Sequence, residues 1–370
     1  MKKILLTIGD ISITGGAERV VVNLANAFSE VGNEVEILSF YKANENLPYY
    51  INNSIKLHFW HNISESAFKA QICRNVFSKI YYKNCYKFIL NAQVHFDFRD
   101  FDVVIANDST YIPFLKHKFT RYIRLIHLNF SIYNTRNNFF HTLVVLSSKE
   151  LSIWEQYHKD IKVIPNFLPI ISTEQTDLKQ KSIISVGRMD RGDQKGFLRL
   201  INIWALLQQS LQSSVPPSQL HSWQLVIVGD GDMKNEIETK IKDLGLQDSI
   251  ILKPFTKDIE SEYLNASIYA MSSYYEGFPM VLLESCSYGL CSISFDIKTG
   301  PSDIIENNTS GYLIQDNDLH TYAHKLIELM SDENKRKTMG EAAKARVAQK
   351  FSKEAIMPLW NRIINNKSKN

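Results

Sequence analysis

Cysteine is scarce in this chain. Its 370 residues include four, Cys73, Cys85, Cys286 and Cys291, too few and too scattered for a disulfide framework. No CxxC and no Cys/His pair has the spacing of a zinc site. That usage points to a reducing cytoplasm. Long apolar runs are also missing, so no segment reads as a membrane span. The opening Met1-Lys2-Lys3 and the apolar run after it stop at Gly9-Asp10, too short for a signal peptide. There is no G-x-G-x-x-G, which removes the dinucleotide fingerprint. A large charge of one sign is absent too: the formal net charge is +3. The basic residues are too sparse for a nucleic-acid surface.

What is present fits a soluble globular protein of two domains, since 370 residues exceed one ordinary core. Hydrophobic residues make up 44% and charged residues 22%, both ordinary values. The positive charge is uneven. From Trp60 to Phe140 there are eleven Lys and Arg against five Asp and Glu. Within it, residues 65 to 95 read as a helix in which Phe68, Ile72, Phe77, Ile80, Tyr81, Tyr82 and Phe88 alternate with Lys and Arg. Two readings stay open: a core helix with a solvated basic face, or a basic aromatic surface that meets an anionic membrane.

The first half opens as strand, loop, helix, strand. Ile4 to Ile8 is an apolar run, and Gly15-Gly16-Ala17-Glu18-Arg19 starts a helix with an apolar face at Val20, Val21, Leu24 and Phe28. Val35 to Phe40 is the second strand. The glycines fall at the carboxyl end of the first strand, the edge where open parallel sheets bind ligands. Close packing is the competing role for at least one of them. Further strands at 101–106, 122–126 and 143–146 each end in polar residues, the second of them in His127. An imidazole there can donate to a sugar hydroxyl, or simply pack or cap.

Residues 169 to 180 are polar and irregular, and are expected to link the domains. A second strand–loop–helix series follows. Ser182 to Val186 ends in Gly187-Arg188, and Lys195-Gly196 opens the next helix. Arg offers a planar fork and Lys a point charge to diphosphate oxygens; a solvated surface loop is the alternative. Pro216-Pro217 begins a loop. The strand Trp223–Val228 is capped by Gly229-Asp230-Gly231, and Ile250–Leu252 leads to Lys253-Pro254-Phe255, where a nucleobase can rest. Asp230-Gly231-Asp232 and Asp316-Asn317-Asp318 match D-x-D, yet Asp-Gly is turn chemistry, so no metal is expected.

One stretch organises the rest. Ser267 to Met271 reads as a strand, a polar loop reaches Gly277, and Pro279 takes the first helical position. The N–H groups of Met280, Val281 and Leu282 then lack a carbonyl behind them and face a phosphate with the positive end of the helix dipole. Glu276 and Glu284 flank that anion site. Acids are wrong for phosphate and right for hydroxyls, so the fitting ligand has phosphate in its middle and a polyol at each end: a nucleotide sugar. The competing reading is an ordinary strand–loop–helix whose Glu favours the dipole.

Gly15-Gly16-Ala17-Glu18, Gly187-Arg188 with Lys195-Gly196, Gly229-Asp230-Gly231 and Glu276-Gly277-Phe278-Pro279 through Glu284 resemble glycosyltransferase family 4 in order and spacing, over nearly the whole chain. The loop from Arg188 to Lys195 is longer than in the family's shortest forms. The resemblance implies an α/β protein of GT-B fold, two Rossmann-like domains with parallel sheets facing a central cleft. Residues 1–168 would form the acceptor side, completed by a final helix at 351–364, and 178–350 the nucleotide-sugar side.

It also implies roles. Glu284 would bind ribose, and Glu276 would face the donor sugar. The amides of Gly277, Phe278, Met280, Val281 and Leu282 would hold sugar hydroxyls and phosphate, while Arg188 and Lys195 neutralise the leaving diphosphate. Gly15 and Gly16 would let the first domain's loop approach it, Gly187, Gly229 and Phe255 would contact the donor, and His127 would lie beside its sugar. The implied reaction needs no cofactor or metal and retains anomeric configuration. It would move a hexose or N-acetylhexosamine from a UDP-linked donor to a surface glycan or lipid-linked acceptor, at the inner face of the membrane. A GDP-sugar donor, a silent binding protein of the same fold, and an epimerase are the alternatives.

Overall fold

The computed structural model describes residues 1–214 and 222–365. The loop expected at Pro216-Pro217 and the end of the expected frayed tail lie outside the described residues. The chain divides into two compact units, Met1–Pro169 with Lys353–Asn370, and Ile170–Ser352.

The first unit holds a parallel sheet. Its strands are β1 (Lys3–Asp10), β2 (Glu34–Tyr41), β3 (Lys56–Phe59), β4 (Val103–Ala106), β5 (Arg121–Leu125), β6 (Thr142–Val145) and β7 (Ile161–Val163). The order is β3-β2-β1-β4-β5-β6-β7. Strand β3 carries no clear sequence signal: it has four residues and pairs only with β2. Ile4, Leu5 and Leu6 are fully buried, as continuous apolar runs are when both faces of a parallel sheet are covered. The order reverses between β1 and β4, so Gly9-Asp10 and Asn107-Asp108-Ser109 meet at the carboxyl edge, where such sheets open a crevice.

The helix Gly16–Glu30 buries Val21, Leu24, Ala25 and Phe28. Phe28 meets Trp360 of the last helix edge-on, ring centroids 6.0 Å apart, and Lys353 Nζ lies 2.6 Å from Glu30. That last helix is Lys353–Asn365. Phe351 instead ends the preceding helix, Glu333–Phe351, because Ser352 is extended (φ −74°, ψ 160°). The expected start at Phe351 is therefore two residues early.

Residues 65 to 95 are not one helix. Glu65–Ile72, capped by Ser64, stops at Cys73; Asn75 and Ser78 form a capping box that restarts the chain as Val76–Ile80. A π-helical turn over Tyr81–Tyr86 leads into Lys87–Asp97. Phe68, Tyr82, Leu90 and Val94 are buried in the core, while Phe77 is 85% exposed and Ile80 and Phe88 about half exposed.

The second unit is built on β8 (Ser182–Val186), β9 (Gln224–Val228), β10 (Ile250–Lys253), β11 (Ile268–Met271), β12 (Cys291–Asp296) and β13 (Gly311–Gln315). All pairs are parallel, in the order β10-β9-β8-β11-β12-β13. Here the order reverses between β8 and β11. The loops that follow these two strands, at 187–196 and 272–279, are neighbours at the carboxyl edge. The helical region beginning at Leu319 breaks at Asp332, whose side chain accepts from Lys335 N and caps the second helix.

Candidate functional site

Two glycines let the loops of the second unit close on one another. A Cβ on Gly229 would lie 1.9 Å from Gly187 O, and one on Gly196 (φ +68°) would lie 1.9 Å from Ser272 O. Backbone bonds complete the fit: Gly187 N donates to Val228 O at 3.1 Å, Met189 N to Asp230 O at 2.8 Å and Tyr274 N to Gln194 O at 2.9 Å.

That closeness brings Lys195 to Glu276. The Lys195 stem lies across Gly187, where a Cβ would come within 2.8 Å of Lys195 Cγ. Its ammonium is 2.6 Å from Glu276 Oε1. Ser273 Oγ donates to the same oxygen at 2.7 Å, and Thr299 Oγ1 donates to Glu276 O. The Glu276 side chain is 9% exposed and that of Lys195 20%. The ammonium and the hydroxyl offset the hydration this carboxyl group loses on burial.

Arg188 is elsewhere. Its side chain is 59% exposed and pairs with Asp190 at 3.0 Å. A surface pair of this kind contributes about 0–1 kcal/mol, so an incoming anion can recruit the guanidinium at little cost.

The helix after the loop is Met280–Ser287, and Pro279 is its N-cap in extended conformation (φ −74°, ψ 107°). Proline thus stands one position earlier than expected, before the first helical residue. Leu282 N donates to Pro279 O at 3.2 Å, so the expected set of three outward amides shrinks to Met280 and Val281. The Phe278 side chain packs on Phe351, centroids 5.4 Å apart, leaving only its backbone for a ligand. Pro279 is wedged against Gly300 (φ +98°), where a Cβ would lie 2.6 Å from Pro279 Cδ.

Glu284 is buried one turn into this helix. The Tyr263 hydroxyl lies 3.4 Å from Glu284 Oε2 and 3.3 Å from Val281 O. The phenol of Tyr269 is held well above its ordinary range, by burial first and then by Glu276 and Glu284. Both carboxylates therefore act on one buried ring. Phe255 stands apart at the end of edge strand β10 and is 54% exposed.

In the first unit the two glycines differ. A Cβ on Gly15 would come 2.2 Å from Glu18 Oε2, whereas one on Gly16 would meet nothing within 4 Å. The neighbour of Gly15 is the end of a flexible side chain that can move aside, and Gly16 faces open space. His127 follows β5, with Nε2 3.2 Å from Asn107 Oδ1. Asn107 Nδ2 donates to Thr7 O and Ile105 O, which leaves Oδ1 as the acceptor. His127 therefore carries its proton on Nε2, and Nδ1 is an acceptor. Burial, reinforced by Arg124, lowers its pKa to about 3. The ring is neutral at physiological pH and offers Nδ1 to a hydroxyl proton, the reverse of the donor expected from the sequence.

The structure thus joins Lys195, Glu276, Gly187, Gly229 and the start of the Met280–Ser287 helix, with Glu284 close by. It leaves Arg188 and Phe255 at exposed margins and holds His127, Gly15 and Gly16 in the other unit. Sequence reasoning missed Ser273, Tyr263 and Arg199. The signal for Arg199 was a charge set between Leu198 and Leu200 in an apolar helix face.

Two parallel-sheet, Rossmann-like units define a GT-B protein. A structure of Staphylococcus aureus TarM in complex with fondaparinux, alpha-GlcNAc-glycerol and UDP superposes with a TM-score of 0.79 at 17% identity, covering 99% of this chain and 100% of that one. Residues 169–346, just under half of the chain, match the family described as "Glycosyl transferases group 1". The amylovoran biosynthesis glycosyltransferase AmsD of Erwinia amylovora is 36% identical over 187 residues, 50% of this chain and 49% of that protein, so the match spans about half of that relative's length. The Campylobacter jejuni enzyme named GalNAc-alpha-(1->4)-GalNAc-alpha-(1->3)-diNAcBac-PP-undecaprenol alpha-1,4-N-acetyl-D-galactosaminyltransferase is 27% identical over 379 residues, 98% of each chain.

Proposed function

We propose that this protein transfers a hexose or N-acetylhexosamine from a nucleotide sugar, UDP-linked, to a growing surface glycan on a lipid-linked acceptor. One observation carries the reading: Lys195 and Glu276 form a buried pair just before the open amides of Met280 and Val281, with the acid Glu284 one turn further in. Cation and amides suit a diphosphate, and the two acids suit the sugars on either side of it. The C. jejuni relative's name specifies a PP-undecaprenol-linked acceptor, and the TarM structure contains UDP. Both support this donor and acceptor class.

Breaking the bond from sugar to phosphate builds positive charge on the sugar and negative charge on the diphosphate. Lys195, the helix amides and a recruited Arg188 stabilise the leaving group electrostatically. Glu276 orients sugar hydroxyls and Glu284 takes the ribose hydroxyls. The acceptor hydroxyl attacks from the side the diphosphate leaves and passes its proton to it, which retains the configuration. The family resemblance implies that this proceeds without a metal. His127 stays neutral and accepts a hydrogen bond from a sugar hydroxyl through Nδ1. Exposed Phe77, Ile80, Phe88 and Phe119, set among Lys79, Lys87 and Lys118, meet the anionic membrane that bears the acceptor.

The test is nucleotide release from a panel of UDP- and GDP-sugars, with and without a lipid-linked glycan acceptor. UDP release that depends on the acceptor is expected. Release of GDP alone would reassign the donor, and turnover without acceptor would point to an epimerase or hydrolase. No turnover with any donor, together with no nucleotide binding, would leave a silent fold.

A further inference from the structure

One heavily bonded charge of the second unit belongs to none of the roles above. Arg199 lies near the start of the helix Phe197–Ser214, and its side chain is 4% exposed. We propose that Arg199 is the positioning residue of the donor site: it sets the backbone after β11 and, through it, the placing of Glu276 and Lys195. The kinetic part of this inference rests on the transferase reading.

The geometry is specific. Nε donates to Ser272 O and Nη2 to Ser273 O. Nη1 donates to Asp316 Oδ1 at 2.8 Å and to Asn317 Oδ1 at 3.0 Å. In a strand, consecutive carbonyls point to opposite neighbours. Here two consecutive carbonyls turn to one guanidinium, so Arg199 ends β11 and bends the chain into the loop. The residues it grips are the ones that reach the site. Ser273 Oγ holds Glu276 Oε1, and Ser272 Oγ donates to Lys195 O at 3.0 Å.

The far side of the guanidinium is fixed as well. Asp316 and Asn317 form the turn after β13, with Asn317 in the left-handed region (φ +66°). The Tyr274 and Phe295 ring centroids lie 3.9 Å and 4.1 Å from the guanidinium carbon, which keeps it in one plane. Gly196 gives it room, since a Cβ there would lie 2.9 Å from Arg199 Nε. Two strand-end loops, after β11 and β13, therefore converge on a side chain whose helix follows a third, the loop after β8.

Stability alone is a poor account of this arrangement. Replacing a whole buried ion pair by apolar groups is often neutral or stabilising, whereas removing one partner leaves the others unpaired. A planar fork with donors in three directions also cannot be replaced by the point charge of Lys. What the fork supplies is direction.

The experiment compares wild type with Arg199→Lys and Asp316→Ala, each checked for normal thermal unfolding. Donor kcat and KM are measured, together with amide hydrogen exchange over residues 272–279. For Arg199→Lys, kcat is expected to fall about 100-fold, the scale of a 1 Å misplacement, with donor KM much less affected and faster exchange confined to 272–279. Asp316→Ala loosens the same fork and is expected to shift all three readouts in the same direction by less. Wild-type kcat per folded molecule in Arg199→Lys would overturn the proposal. If that variant does not fold, unchanged kcat and exchange in a folded Asp316→Ala would do the same. Should wild type itself turn over no donor, the transferase reading fails separately, and the exchange pattern alone decides the role of Arg199.

Discussion

The two sheets share a topology and differ at their edges. Each is parallel, each reverses order beside its first strand, and each has glycines in the loop after that strand. In the second unit the edge is crossed by side chains. Lys195 reaches Glu276, Ser272 and Ser273 reach back, and Arg199 ties the loops after β11 and β13. In the first unit the polar side chains turn to nearby backbone. Asp108 accepts from Gly9 N, Asp10 from Ser12 N and Ala43 N, and Asn107 donates to Thr7 O and Ile105 O. Its histidine is neutral. One edge is therefore tied together by side chains of opposite charge, and the other by carboxylates and an amide that bind backbone. The same architecture thus carries two different edges, and the side chains beyond the strand ends make the difference.

The contrast can be broken most directly at Lys195. Lys195→Ala is expected to lower kcat by about 100- to 1,000-fold at saturating donor, as loss of one preorganised charge does elsewhere; an unchanged kcat would remove it from the site. Glu284→Ala comes next. Losing a charged hydrogen-bond acceptor of about 1.5–3 kcal/mol weakens nucleotide-sugar binding roughly 10- to 100-fold by calorimetry, and equal affinity would end its assignment to ribose. Arg188→Ala is expected to cost about tenfold, about 1.4 kcal/mol, with turnover reduced more than binding, because the side chain starts exposed and must be recruited. A larger effect on KM than on kcat would contradict that order.

The smallest effect is on the first edge. Burial, then Arg124, depresses the His127 pKa from 6.5 to about 3, so its contribution to stability is complete above pH 6.5 and is lost as pH falls toward 3. His141, lowered to about 4 by burial, then Lys116 and Arg121, acts in the same direction. His127→Gln should therefore flatten part of the decline in melting temperature between pH 7 and pH 4. A decline identical to wild type would mean that the ring is not held neutral.

The strands and most helices were legible because their signals are local: apolar runs, a glycine at a strand end, a proline at a helix start. Strand β3 escaped because four residues, none of them fully buried, carry too little pattern. The helix from 65 to 95 misread as continuous because the apolar period carries on through Cys73–Asn75, while the break is a matter of caps. Pro279 was placed one residue late because N-cap and first turn differ by one ψ angle, which composition does not encode. At the site, Gly187, Lys195, Glu276 and Glu284 could each be singled out by type and place. The Lys195–Glu276 pair could not, being 81 residues apart, nor could the reach of Arg199 to Asp316, 117 residues away. Such partnerships exist only once the sheet has set its strand order.

The terminal helix seated on Phe28 has a consequence for synthesis. The helix Gly16–Glu30 leaves the ribosome long before the last helix that meets Phe28, because the whole second unit is translated in between. At about 5–20 residues per second, that interval is on the order of ten seconds or more. Nascent chains stalled before Lys353 would therefore hold the apolar side of Phe28 uncovered and available to chaperones, although most of their residues have already been made.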